Sequence, residues 1–199
     1  MTGRSARIAA AVLAAAGVAV ALVVASGGGR PAARRIDWNA VSHLQHGPAP
    51  WSSGSRYLPQ RLGASGLQAL TMEGAALHIH QHLDVYVDGR RVPVPALVGI
   101  DPATGFLTQI HTHDASGIVH VESPARSTFT LGQFFCEWGV ELTAHCLGPY
   151  HGAVSWWVNG ARMHGDPSRL VLAQHQEIVL AVGGAPDRVP AAYPFPAGL

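Results

Sequence analysis

The alternation of apolar and polar residues over positions 77–87 constrains the fold of this chain more strongly than any other sequence feature. Apolar residues at odd positions alternate with polar or aromatic residues at even positions. The apolar residues are Leu77, Ile79, Leu83, Val85 and Val87, and the residues that alternate with them are His78, His80, His82, Asp84 and Tyr86. Because successive side chains point to opposite faces of a strand, this period predicts a β-strand with one apolar and one polar face. The pair Asp88-Gly89 predicts a tight hairpin turn, and Pro93 and Pro95 place the return strand at a sheet edge.

Further short patterns predict five strands and one helix. The strands are expected over residues 107–112, 117–122, 127–129, 153–158 and 178–182. Thr130 and Gln133 form a capping box, the following apolar residues recur with helical spacing, and Gly139 ends the helix. These elements predict an α+β domain with a mixed, mainly antiparallel sheet and one packed helix. The order from residue 117 onward is compatible with a β-grasp-like C-terminal half.

The N-terminal segment predicts export. Arg4 and Arg7 precede an apolar run over residues 8–25, which as a helix spans about 27 Å, close to the thickness of a bilayer core. Positive charge before the run predicts an N-terminus inside the cell and a domain outside the cytoplasm. The run therefore predicts a single-pass signal-anchor in the cell membrane, or alternatively a signal peptide whose cleavage leaves a secreted protein.

Composition divides the rest of the chain. Gly and Pro are concentrated before residue 70 and near the C-terminus, which predicts a flexible linker over 28–70 and a flexible tail over 186–199. One globular histidine-rich domain is expected over 71–185, after the signal-anchor or signal peptide of residues 1–27. The net charge of +1 and the lack of a basic stripe argue against a nucleic-acid partner.

The histidines predict a metal site. The chain has 12 histidines, and two His-x-His segments lie within its patterned part. Residues two apart on a strand share a face and are about 6.6 Å apart, so two imidazoles can converge on one ion. If the strands are neighbours, the expected ligands are His78, His80, His82, His111, His113 and His120. A divalent or copper ion suits these donors, which do not select one metal.

Three carboxylates accompany the histidines. Glu122 lies on the same strand face as His120, and Asp84 and Asp114 lie close to the His-x-His segments. Each is a candidate ligand or a residue that orients an imidazole. The alternatives are a residue that flanks a turn for Asp84 and an Asx turn for Asp114.

The two cysteines leave several possibilities open. Cys136 and Cys146 are an even pair, which outside the cytoplasm favours a disulfide. Cys146 with His145 and His151 also resembles the Cys-and-His loops of blue-copper proteins, although Met163 lies too far along the chain for a compact loop. A nucleophilic Cys146 with a histidine base is a third reading, for which no orienting third group is evident.

Three strings resemble an uncharacterised family of exported or membrane-anchored prokaryotic proteins. They are HIHQHLDVYVDG, HTHDASGIVHVESP and FTLGQFFCEWGV. The resemblance covers residues 76–183 and implies export or anchoring, but it implies no reaction and no catalytic residues.

Three functions are compatible with these features. The first is an extracytoplasmic, membrane-anchored protein that binds copper or zinc for metal handling or sensing. The second is a metal-dependent enzyme that uses the histidine cluster, with Glu122 or Asp114 as a base. The third is a non-catalytic interaction domain whose histidines are structural.

Overall fold

The computed structural model describes residues 34–199. The predicted signal-anchor or signal peptide of residues 1–27 and the start of the predicted linker lie outside these residues. Within the part that is described, no helix is both long enough and apolar enough to cross a membrane.

The described residues form two α-helices and eleven strands. The helices are α1 (Leu58–Ser65) and α2 (Leu131–Trp138), and the strands are β1 (Leu77–Val87), β2 (Arg90–Val92), β3 (Ile100–Asp101), β4 (Phe106–Leu107), β5 (Ile110–His111), β6 (Ile118–Ser123), β7 (Cys146–Leu147), β8 (Tyr150–His151), β9 (Ser155–Val158), β10 (Ala161–Met163) and β11 (Glu177–Val182). Two predictions were wrong in detail. The strand expected over 107–112 is divided into β4 and β5, and residues 127–129 form no strand.

The main sheet confirms the predicted α+β class. Its seven strands follow the order β10-β9-β11-β1-β6-β5, with β2 also paired to β1. Only the central pair of this path, β1 and β11, is parallel. The order β2-β1-β11-β9-β10 around that parallel pair is β-grasp-like. Its first hairpin is β1–β2, so the arrangement begins earlier in the chain than residue 117.

The two faces of the sheet have different environments. The odd-numbered apolar residues of β1 join residues of β6, β11 and α2 in one buried cluster that includes Leu83, Val85, Val121, Leu180 and Phe134. The even-numbered residues of β1 therefore lie on the opposite face, as the alternation predicts. That second face carries the histidines.

Helix α2 forms as the capping box predicts. The Thr130 hydroxyl accepts from the Gln133 amide at 3.3 Å, and Gln133 Oε1 accepts from the Thr130 amide at 2.9 Å. Gly139 ends the helix with a left-handed φ of 72°, a conformation that a residue without Cβ adopts readily. All eight helical residues are buried, so α2 lies inside the domain.

The prediction of a flexible linker requires correction for residues 34–70. Within this segment, α1 packs against α2, and Arg61 is fully buried. Its guanidinium donates to the backbone carbonyls of Ser42, Gly54 and Glu137 at 3.0–3.1 Å. Gly and Pro content suggested a tether, but buried apolar side chains and this arginine attach the segment to the core.

The predicted flexible tail requires a similar correction. Tyr193 stacks on His82 with ring centroids 3.8 Å apart, and Phe195 stacks on His175 at 4.6 Å. The tail therefore covers part of the histidine-bearing face.

Candidate metal centre

Strands β1, β6 and β5 bring the predicted histidines together. His80 is opposite His120 in the β1–β6 pairing, and His120 is opposite His111 in the β6–β5 pairing. His78 is opposite Glu122. The strands that carry the motifs are therefore neighbours, and their polar residues form rows across one face.

The first group of donors is formed by β1 and β6. His78 Nε2 lies 3.0 Å from His80 Nε2 and 3.2 Å from Glu122 Oε1. His120 Nδ1 lies 3.2 Å from the same oxygen. Two ligands about 2.05 Å from one ion in a tetrahedron are about 3.3 Å apart. Three of the distances among these four side chains are therefore close to that spacing, and all four donor atoms lie within 4.8 Å of one another.

The second group is formed by His111 at the end of β5, His113 two residues further along the chain, and His120 and Glu122 of β6. His111 Nε2 lies 3.2 Å from His113 Nε2 and 3.9 Å from Glu122 Oε2. His111 Nδ1 donates to the Thr108 carbonyl at 2.9 Å, which leaves the lone pair of Nε2 for a ligand. His120 also belongs to this group, because its donor atom lies within 4.8 Å of the others.

Two buried polar atoms of the site have no hydrogen-bond partner among the described residues. They are Glu122 Oε2 and His80 Nδ1, and Glu122 is only 2% exposed. A buried polar atom without a partner costs about 1–3 kcal/mol. A bound cation beside Glu122 offsets that cost, so the unpaired oxygen is consistent with a metal site.

Burial keeps the central imidazoles neutral. Desolvation lowers the pKa of His111 to about 4, and desolvation with the neighbouring histidines lowers that of His120 to about 3. Burial also lowers the pKa of His80. A metal ligand must be the neutral imidazole, so these side chains are ready to bind at neutral pH.

Glu122 has the opposite shift. Burial, with the nearby Glu73 carboxylate, raises its pKa to about 7. In the metal-free site the carboxyl group therefore retains a proton into the neutral range. An incoming cation displaces that proton and gains a carboxylate ligand.

His82 is separated from the other five histidines, although it shares their face. Its Nδ1 lies 2.9 Å from Glu177 Oε2 and its Nε2 lies 3.0 Å from the Ser116 carbonyl. Asp84 accepts from Arg91 Nε at 2.5 Å. His82, Asp84 and Glu177 are close enough to form a third potential ligand group. Both ring nitrogens of His82 and Asp84 Oδ1 have protein partners, whereas Glu177 Oε1 is buried without one in the described part of the chain.

Of the three predicted carboxylates, Glu122 is the one that lies with the five histidines. Asp114 Oδ1 accepts from the Ser116 amide at 2.9 Å and is exposed, so it forms the Asx turn that was the alternative reading. No sequence pattern predicts a role for Glu73 or Glu177. Glu73 lies in a loop, 3.5 Å from His113 Nε2, and Glu177 is brought beside His82 only by the parallel β1–β11 pairing.

The predicted disulfide is wrong. Cys136 and Cys146 are both free and buried. Burial raises the pKa of their thiols to about 12 and about 11 respectively, so both stay protonated at neutral pH. Cys136 is fully buried in α2, and Cys146 Sγ donates to the Gly148 carbonyl. A protonated Cys146 lacks the thiolate that a nucleophile needs.

The histidine and carboxylate groups on this face can hold a metal ion. No protein-family model, curated protein or solved structure matches the chain.

Proposed function

We propose that this chain is an extracytoplasmic, membrane-anchored protein that binds copper or zinc for metal handling or sensing. The observation that carries the proposal is the cluster of five histidines and Glu122, in which neighbouring donor atoms on β1, on β6 and on β5 with the loop after it lie 3.0–3.9 Å apart.

The donor set supports the choice of metals. Imidazole nitrogens outnumber carboxylate oxygens, and imidazole suits copper and zinc, whereas magnesium and calcium favour oxygen ligands. The lowered pKa of His80, His111 and His120 supports binding at neutral pH.

Metal analysis of the purified full chain tests the proposal. After loading with Zn²⁺ or Cu²⁺ and desalting, we expect at least one ion per chain. His80→Ala should weaken binding by at least about 100-fold, the upper end of the effect of losing an orienting residue alone. His164→Ala, an exposed histidine outside the cluster, is the matched control and should bind as the wild type does.

A chain that retains no ion after loading contradicts the proposal and leaves the interaction domain with structural histidines. Equal affinity in His80→Ala and the wild type would show that the ion lies elsewhere.

Export is tested separately in intact cells. We expect the chain to sediment with membranes and the domain to be cut by protease added outside the cytoplasmic membrane. A domain protected until the membrane is disrupted contradicts the proposed location, and a chain released without residues 1–27 supports the secreted alternative.

A metal-dependent enzyme is the second candidate. The side chains of His78 and His113 are 50% and 43% exposed, so solvent reaches the rim of the site. An ion with a water-occupied position there favours an enzyme, whereas a closed shell of four protein ligands favours a carrier or sensor.

A further inference from the structure

We infer that the histidine face is a dinuclear centre, in which the carboxylate of Glu122 bridges two metal ions. This inference rests on the proposed metal-binding function and adds to it the number of ions and the role of each histidine pair.

The number of donors exceeds what one ion uses. A zinc ion with only protein ligands is nearly always four-coordinate, and the cluster offers five imidazoles and a carboxylate. The donors form two overlapping groups of four, which share His120 and Glu122. The unshared members are two separate pairs, His78 with His80 and His111 with His113, each with Nε2 atoms 3.0–3.2 Å apart.

Glu122 faces both pairs with different oxygens. Oε1 lies 3.2 Å from His78 Nε2, and Oε2 lies 3.9 Å from His111 Nε2. A neutral imidazole has one lone pair for a metal, but a carboxylate has two oxygens and can bind two ions. In two-metal sites the ions are about 3.5–4 Å apart, a separation that one carboxylate spans.

The unpaired oxygen supports the second ion independently. Oε1 has His78 and His120 within 3.2 Å, whereas Oε2 is buried without a hydrogen-bond partner in the described part of the chain. A single ion in the first group leaves Oε2 unpaired. An ion between His111 and His113 gives it a partner.

The two ions differ in their surroundings. His78, His80, His120 and Oε1 supply four ligands to the first ion. His111, His113 and Oε2 supply three to the second, which leaves a position on the side of His113 and the half-exposed Glu73. The first ion is therefore the more tightly held, and the second is the one that exchanges or binds water or a small anion.

Zinc titration of the full chain, followed by native mass spectrometry, tests the inference. We expect two Zn²⁺ in the wild type and in the His164→Ala control. His113→Ala should bind one Zn²⁺, with the first affinity changed less than about tenfold. Glu122→Gln should weaken the second Zn²⁺ by at least about tenfold, because a neutral amide cannot bridge two cations.

The possible failures are distinguishable. One Zn²⁺ in the wild type overturns the dinuclear centre and leaves the proposed function intact, whereas no Zn²⁺ overturns both. Two Zn²⁺ in His113→Ala also overturn the inference, because the second ion then lies outside the His111–His113 pair.

A measurement on the unmodified chain avoids any folding defect of the variants. Loaded with Cu²⁺, a bridged pair of ions couples magnetically, so the electron paramagnetic resonance signal per copper should fall well below that of an isolated ion. A full signal for each of two bound coppers would overturn the bridge.

Discussion

Two parts of one strand face, only two residues apart, have different partners. The donor atoms of His78 and His80 face other histidines and Glu122 across β6 and β5. His82 on the same face has Glu177 and Ser116 within hydrogen-bond distance and lies under Tyr193. The donor atoms of the first part face one another, whereas both ring nitrogens of His82 in the second part have a protein partner within 3.0 Å. His-x-His spacing therefore defines a face of a strand, and the neighbouring strands decide which of its histidines can bind metal.

The largest difference in Zn²⁺ affinity is expected between the variants His120→Ala and His82→Ala. His120 lies at the centre of the cluster, so its loss should lower Zn²⁺ affinity by at least about 100-fold. His82→Ala should leave Zn²⁺ binding unchanged but lower the free energy of unfolding by about 1–3 kcal/mol, because it removes a partner of the buried Glu177. Isothermal titration and denaturant unfolding measure the two effects, and equal losses of affinity would remove the distinction between the two parts.

Zinc should stabilise the fold through the first part alone. At a free concentration 100 times its Kd, an ion that binds only the folded state adds about 2.7 kcal/mol to the free energy of unfolding. We expect this gain, measured as a rise in Tm, in the wild type and in His82→Ala, and its loss in His120→Ala. An equal rise in all three chains would indicate binding outside the cluster.

The pH dependence of binding should follow Glu122. Its raised pKa of about 7 means that below this pH the metal-free site holds a proton, which Zn²⁺ must displace. Affinity should therefore fall by at least about tenfold for each pH unit below 7, since one displaced proton gives a tenfold change per unit. Glu122→Gln, measured under the same conditions, should have a shallower slope. An identical slope in both chains would assign the displaced proton to another group.

The smallest effect on stability is expected at Tyr193, which stacks on His82 in the second part. Tyr193→Ala removes the ring stacked on His82 and should cost about 1 kcal/mol of stability. Zn²⁺ affinity should not change, because Tyr193 contacts His82 and not the five clustered histidines. Thermal unfolding measures the loss of stability, and titration measures the Zn²⁺ affinity. A clear loss of affinity in Tyr193→Ala would show that the second part influences metal binding by the first.

The sequence predicts the local features of this fold well. Alternation identifies β1 and its polar face, and the capping box with Gly139 bounds α2, because these signals depend on residues close together in the chain. The five histidines and Glu122 follow from the same alternation, once their strands are adjacent.

The features that the sequence does not predict depend on distant partners. Residues 34–70 have the composition of a linker, and nothing local shows that Arg61 is buried against carbonyls of α2 and the preceding loops. Glu177 reaches His82 through a parallel pairing across almost the whole domain. The free cysteines have the same explanation, since the spacing of Cys136 and Cys146 along the chain does not show that the two thiols are buried apart from each other.

Anomalous X-ray scattering from crystals of the zinc-loaded chain locates the bound ions directly. We expect two peaks on either side of Glu122, one within bonding distance of His78, His80 and His120 and the other within bonding distance of His111 and His113. Zinc found only at exposed histidines, or only at His82 and Glu177, would contradict this expectation.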